Sequence, residues 1–112
     1  MHLQNNVHMG QLIRIREMEQ RLDEATTAIR RLDNALNCYE AVQESVGLLS
    51  SYLSSDEWRQ DLSDDEKGFL PRDLKRGVLS EDGIWNLLDQ NRELALKMRA
   101  LSDSLLESDQ PE

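Results

Sequence analysis

The chain has 112 residues, of which 38% are hydrophobic and 4% aromatic, and its 22 acidic and 13 basic residues give a formal net charge of −9. This length corresponds to one domain at most, with a thin core built mainly from aliphatic side chains. A single cysteine excludes an intramolecular disulfide framework, and two histidines leave too few ligands for a usual Cys/His zinc site. The acidic balance disfavours direct binding to nucleic acid or to anionic membranes, because lysine and arginine normally neutralise their phosphates.

No apolar run of about 18 residues occurs in the sequence, and its N-terminus lacks the pattern of a signal peptide. We therefore expect a soluble, cytoplasmic protein with no membrane contact.

The first forty residues divide into two patterns. Residues 1–10 show no sustained periodicity and end in Gly10, so they are predicted to form a disordered leader. From Gln11 onward, apolar residues recur at alternating spacings of three and four, which predicts a long helix with a seam of the coiled-coil type. The a and d positions of this seam are Ile15, Met18, Leu22, Ala25, Ile29, Leu32, Leu36 and Tyr39.

This first helix has no proline to end it before the middle of the chain. It can extend to Tyr52 or Leu53, a length of roughly 60 Å at about 1.5 Å per residue. The seam shifts by one residue after Tyr39, and Gly47 follows soon after, so we expect altered packing or a bend there.

The segment from Ser54 to Leu79 reads as a compact connector, because it contains short mixed pieces, two glycines and a proline. Its first residues, Ser54-Ser55-Asp56, are predicted to cap a short helical turn that holds Trp58. Ser63 is followed three residues later by Glu66, which fits the capping-box pattern of a further helix start.

Two more helix starts are predicted after the connector's midpoint. Pro71 suits the first turn of a short helix with Gly77 as its C-terminal cap. Ser80 suits the N-cap of the last helix, which is predicted to run from about Glu81 to Leu106.

The last helix has an apolar stripe interrupted by Asn91, which is predicted either to set register from a buried position or to be solvated at the edge of the stripe. Beyond it, residues 108–112 are predicted to fray. The predicted organisation is one helical domain over residues 11–107. It is all-α, with a long N-terminal helix, a connector of short helices, and a C-terminal helix packed back antiparallel as a helical hairpin.

A block of thirteen residues at positions 70–82, Leu-Pro-Arg-Asp-Leu-Lys-Arg-Gly-Val-Leu-Ser-Glu-Asp, carries the most specific part of a family resemblance. With the Arg-Ile-Arg-Glu-Met-Glu of residues 14–19 and the Tyr-Glu-Ala-Val-Gln of residues 39–43, the chain resembles a small bacterial family catalogued as domain of unknown function 4298. The resemblance covers roughly residues 13 to 101. It implies a compact helical protein and transfers no catalytic residue.

The same block is the candidate site for binding a partner. In one interpretation it is a recognition surface, with Lys75 and Arg76 as donors to an acidic partner or a phosphate. In the other, its charges pair locally and Pro71 and Gly77 only set the geometry of two helix ends. The candidate partner-binding residues are Arg72, Asp73, Lys75, Arg76 and Trp85.

The two tryptophans, Trp58 and Trp85, each lie beside acidic residues. We expect them to pin the connector against the helices, because tryptophan buries a large area. The alternative is an exposed aromatic anchor for a partner.

No combination of residues indicates catalysis, a metal site or a cofactor. The acidic groups of residues 64–66 and 81–82 are explained by charge at helix starts, and they lack the companions of known catalytic or metal motifs. Cys38 is predicted to be partly exposed, without a basic neighbour that would make its thiol reactive. We therefore expect a protein that is not an enzyme.

The helix lengths predict self-association. A last helix of roughly 40 Å cannot cover a first helix of roughly 60 Å, so part of the seam is left in water. We expect this part to form a homodimer, as an antiparallel coiled-coil pair. The predicted self-association residues are Ile15, Met18, Leu22 and Ala25.

Two functions remain open from the sequence. The first is a helical protein-interaction module, an adaptor or regulatory subunit that binds a protein partner through its seam and residues 70–82. The alternative is a small acidic inhibitor that mimics nucleic acid and blocks a basic channel of a host defence enzyme. The inhibitor predicts a negative surface on the last helix, where residues 81–112 hold eight acids against three bases.

Overall fold

The computed structural model describes residues 2–108, with side chains described for residues 8–80 and 82–108. It is all-α, as predicted, with a long N-terminal helix, short helices in the connector and a C-terminal helix; no strand occurs in the described residues. The chain divides into an N-terminal unit, residues 1–43, and a C-terminal unit, residues 44–112. The elements are α1 (His2–Ala41), α2 (Gln43–Leu53), α3 (Asp56–Glu66), a 3-10 turn (Gly77–Leu79) and α4 (Glu81–Ser108).

The first helix begins earlier than the sequence predicts. Helix α1 starts at His2 rather than at about Gln11, so it runs through the segment predicted to be a disordered leader, of which Met1 lies outside the described residues. A lone Gly10 costs a helix only about 1 kcal/mol relative to alanine, and no proline interrupts the hydrogen bonds around it. The loss of apolar periodicity before Gln11 therefore does not end the helix.

The predicted change after Tyr39 is confirmed as an interruption at Val42, between α1 and α2. The side-chain amide of Gln43 donates to the carbonyl oxygen of Tyr39 at 3.1 Å, the oxygen that a continuing helix uses for its own next turn. Gly47 lies within α2 and does not interrupt it.

The start of α3 agrees with the prediction. Ser55 is its N-cap, and its hydroxyl accepts a hydrogen bond from the backbone N–H of Trp58 at 3.1 Å. The same hydroxyl donates to the carbonyl of Tyr52 at 2.5 Å, so one serine joins the end of α2 to the start of α3.

The helix start predicted at Ser63 is wrong, because Ser63 and Glu66 lie in the last turn of α3. The helix ends where Gly68 adopts a φ of +77°, the left-handed conformation that glycine takes at helix C-termini. The N–H of Gly68 donates to the carbonyl of Asp65 at 3.0 Å, and the N–H of Phe69 to that of Asp64 at 2.9 Å. These two bonds satisfy the last carbonyls of the helix.

The short helix predicted after Pro71 is also wrong. Residues 67–76 form turns, and Gly77 begins the 3-10 turn instead of capping a helix. Ser80 is confirmed as the cap of α4, because its hydroxyl accepts from the N–H of Gly83 at 3.1 Å. Helix α4 then continues two residues past the predicted Leu106 to Ser108, and residues 109–112 of the predicted fraying tail lie outside the described residues.

The core is as thin as the composition predicts. Among the described residues, the buried apolar side chains are Leu79 of the 3-10 turn, 7% exposed, and Ile84 of α4, 3% exposed. The 3-10 turn packs against both α3 and α4, so the core of the C-terminal unit lies at this junction. Asn91 of α4 is half-buried, which lies between the two predicted alternatives, a buried position and a solvated one at the edge of the stripe.

Candidate interaction surfaces

The connector loop, defined as residues 67–76, is held in place by Arg76. The Nε atom of Arg76 donates to Oδ1 of Asp65 on α3 at 2.6 Å. Its Nη atoms donate to three loop carbonyls, those of Pro71 at 2.5 Å, Arg72 at 3.0 Å and Leu74 at 2.8 Å. The guanidinium of Arg76 thus replaces the backbone hydrogen bonds that a helix would provide. This is the physical reason that the loop is ordered without being helical.

The other charged candidates of this block are exposed. Arg72, Asp73 and Lys75 all present their side chains to solvent, whereas Arg76 is half-buried. For Arg76 the structure favours the interpretation in which charges pair locally. It leaves the other three accessible to a partner.

The tryptophans divide between the two predicted roles. Trp58 is half-buried, and its indole N–H donates to the carbonyl of Val78 at 2.8 Å, so it pins α3 to the 3-10 turn as expected. Trp85 is 58% exposed on α4, so the expectation that it pins the connector is wrong. Its exposure fits the alternative of an accessible aromatic side chain.

A close backbone contact joins the 3-10 turn to α4. A Cβ atom at Gly83 would stand 2.2 Å from the carbonyl oxygen of Gly77 and 2.8 Å from Oγ of Ser80. Only glycine fits there. Sequence reasoning missed this requirement, although a glycine three residues after an N-cap serine, inside the first helical turn, is a usable signal of close approach.

A shallow groove of about 380 Å³ lies over this junction in the C-terminal unit. Its lining is mostly apolar, and the charged residue in it is Lys75. The lining residues are Leu49, Lys75, Gly77, Val78, Gly83, Ile84 and Leu87. A lining of this kind suits an apolar side chain better than a charged ligand.

The N-terminal unit offers a different kind of surface. Every described side chain from residue 8 to residue 38 is exposed. The exposed apolar residues include the four predicted for self-association and continue beyond them; Leu22 is 58% exposed and Ile29 69%. We call this surface the α1 seam, defined as Ile15, Met18, Leu22, Ala25, Ile29, Leu32 and Leu36. Sequence reasoning identified all seven as a and d positions but expected only the first four to be left in water.

Cys38 is a free, exposed cysteine, as predicted.

The charge is unevenly divided between the units. Residues 1–43 contain six acids and five bases, a net charge of −1, whereas residues 44–112 contain sixteen acids and eight bases, a net charge of −8. The α1 seam therefore lies on a nearly neutral unit, and almost all of the acidic excess lies on the other.

Among the residues whose side chains the structure describes, Tyr52 is the titratable group with a markedly shifted pKa. The hydroxyl of Tyr52 on α2 donates to Oδ2 of Asp61 on α3 at 2.6 Å. This hydrogen bond, with smaller contributions from burial and from the negative charges of Asp61 and Glu57, raises the pKa of Tyr52 to about 12. A tyrosine held neutral in this way ties two helices together and does not act as a base.

In the described part of the chain, no group of three or more His, Cys, Asp or Glu residues is arranged to hold a metal ion. Within the same residues, no helix combines the length and apolar character needed to cross a membrane.

The fold and these surfaces define an all-α protein that presents a helical apolar seam. The chain belongs to the family described as "Domain of unknown function (DUF4298)", which matches residues 15–101. This match confirms the resemblance noted in the sequence. Neither a curated protein nor a solved structure matches the chain.

Proposed function

We propose that this protein is a non-enzymatic helical protein-interaction module, an adaptor or regulatory subunit, which binds a protein partner through the α1 seam. The observation that carries the proposal is the exposure of this seam over seven a and d positions. A helix in water derives most of its stability from packing its apolar face against another element. A continuous apolar stripe left in solvent therefore marks an interface.

The C-terminal unit supplies a second, smaller contact surface in this proposal. The apolar groove accepts an apolar side chain of the partner, while Lys75 at the groove and the exposed Arg72 and Asp73 nearby in sequence provide polar contacts. Trp85, exposed on α4, is a further anchor. Arg76 contributes indirectly, by fixing the loop that carries the other charged residues.

The test is an affinity capture from native lysate with two charge-matched variants. Leu22→Glu places a carboxylate in the α1 seam, and Asn34→Glu places one on the opposite face of the same helix. We expect the wild type and Asn34→Glu to retain the same partner at low and high salt, and Leu22→Glu to lose it, since apolar contacts are not screened by ions.

The same experiment distinguishes the acidic inhibitor. Such a protein would capture a basic nucleic-acid enzyme that both variants retain and that high salt releases, because carboxylates on the C-terminal unit would carry the binding. That outcome would contradict the interaction through the α1 seam.

A further inference from the structure

We propose that the partner of the α1 seam is the α1 seam of a second copy of this chain, with the two helices parallel and in register. This inference rests on the proposed function, because it names the partner of the same surface. It reverses the antiparallel orientation expected from helix lengths alone.

The argument starts from the positions that flank the seam. In a two-stranded coiled coil, the e and g positions lie beside the a and d core, and their charges set the orientation of the helices. Here the e positions are acidic or polar, whereas the g positions are basic or small. The e positions are Glu19, Thr26, Asp33 and Glu40, and the g positions are Arg14, Arg21, Ala28 and Ala35.

In a parallel pair, each g residue faces the e residue of the following heptad on the other helix. Arg14 then faces Glu19 of the second copy, and the two-fold symmetry repeats this attraction on the other side. Arg21 faces Thr26 of the second copy, and the remaining g positions are alanines. No like-charge pair arises along the seam.

In an antiparallel pair, e residues face e residues and g residues face g residues. Within this seam, Glu19 and Asp33 would then face only acidic residues or Thr26, and Arg14 and Arg21 would face only arginines or alanines, so no attractive pair forms. Like charges placed opposite each other are destabilising. The flanking charges therefore favour the parallel arrangement, because it brings Arg14 opposite an acidic residue of the second copy.

Two further observations support pairing with a second copy. The N-terminal unit has a net charge of only −1, from six acids and five bases, so two such helices approach without strong repulsion. Two of the four a positions of the seam are the β-branched Ile15 and Ile29, and Leu32 is at a d position; β-branched residues at a with leucine at d favour two strands in parallel coiled coils. All three side chains are exposed.

The orientation is tested by disulfide formation in a Cys38→Ser background. Single cysteines are placed at two d positions, Met18→Cys and Leu32→Cys, and at Gln20→Cys on the opposite face as a control. A disulfide needs Cα atoms within about 7 Å. Only a parallel, in-register pair brings both position 18 and position 32 opposite themselves, because these positions are 14 residues or roughly 21 Å apart along the helix.

We expect light scattering to give a dimer at micromolar concentration, with disulfide-linked dimers for both d-position variants and not for Gln20→Cys. A dimer in which one or neither d-position variant forms a disulfide would overturn the parallel register and leave the proposed function intact. A monomer would overturn self-pairing. The proposed function is tested separately by the affinity capture, and it would be contradicted if Leu22→Glu captured the same partners as the wild type.

A charge exchange provides a second measurement that leaves the seam itself unchanged. Arg14→Glu and Glu19→Arg each replace an attractive pair by a repulsive one, and we expect the dimer dissociation constant to rise by on the order of tenfold at low salt. The double variant should recover the wild-type value in a parallel pair. Failure of the double variant to recover would contradict the proposed orientation.

Discussion

Replacing Arg76 by alanine tests how the connector loop is held. The guanidinium makes four hydrogen bonds, to the side chain of Asp65 and to the carbonyls of Pro71, Arg72 and Leu74. The ion pair is partly shielded, with side-chain exposures of 33% for Arg76 and 20% for Asp65. Arg76→Ala removes all four bonds and leaves the carboxylate of Asp65 without this partner.

The size of the effect follows from these contacts. A net contribution of about 0.5–1.5 kcal/mol for each hydrogen bond, reduced because water reaches part of the site, gives a loss of about 2–4 kcal/mol in the free energy of unfolding. For a unit of this size, about 1 kcal/mol corresponds to roughly 4–8 °C in melting temperature. We therefore expect Arg76→Ala to melt about 8–30 °C below the wild type.

The assay is thermal unfolding followed by circular dichroism at one fixed protein concentration, so that self-association does not shift the comparison. Lys75→Ala is the matched control, since it removes an exposed cation from the neighbouring residue, and it should stay within about 0.5 kcal/mol of the wild type. Arg76→Lys should fall between the two, because an ammonium group keeps the charge but cannot reach three carbonyls in different directions. Equal melting temperatures for Arg76→Ala and Lys75→Ala would refute the structural role of Arg76.

Three further predictions concern the C-terminal unit. Gly83→Ala should destabilise the protein by about 1–3 kcal/mol in urea unfolding, because its Cβ would collide with the carbonyl oxygen of Gly77 at 2.2 Å. Gly47→Ala, within α2 and with no atom within 4 Å of the new Cβ, should instead stabilise it by about 0.5–1 kcal/mol; destabilisation at both sites would contradict the close-contact argument. The folded-state pKa of Tyr52, raised to about 12 by its bond to Asp61, means that the stability it contributes is complete below the unfolded pKa of 10.0 and is lost as pH rises towards 12. Tyr52→Phe should therefore reduce the loss of stability between these two pH values in urea titrations, and an unchanged profile would contradict the role of the hydrogen bond.

Several elements follow from local sequence and were predicted without tertiary information. The caps Ser55 and Ser80 were correct because a serine hydroxyl satisfies an N–H group two or three residues ahead, which is a local interaction. The interruption near Tyr39 was visible as a shift in the apolar period. The wrong predictions at Ser63 and Pro71 also rested on local patterns. Ser63 does not start a helix because it lies in the last turn of α3, which ends before Gly68. The residues after Pro71 do not form a helix, because Arg76 reaches back across the loop and binds the carbonyl of Pro71.

The candidate surfaces divide in the same way. The sequence by itself determined the all-α class, the seven positions of the α1 seam and the acidic excess, because helical periodicity and charge are properties of the linear chain. Only the tertiary structure decided that Arg76 holds the connector loop while Lys75 stays exposed, that Trp58 is pinned while Trp85 is free of that role, and that Gly83 is in close backbone contact. Each of these depends on which residues from distant positions meet at the junction of α3, the 3-10 turn and α4. Lys75 and Arg76 are adjacent basic residues, and the sequence alone does not distinguish their roles. Their roles differ because the fold places the carboxylate of Asp65 and three loop carbonyls within reach of Arg76.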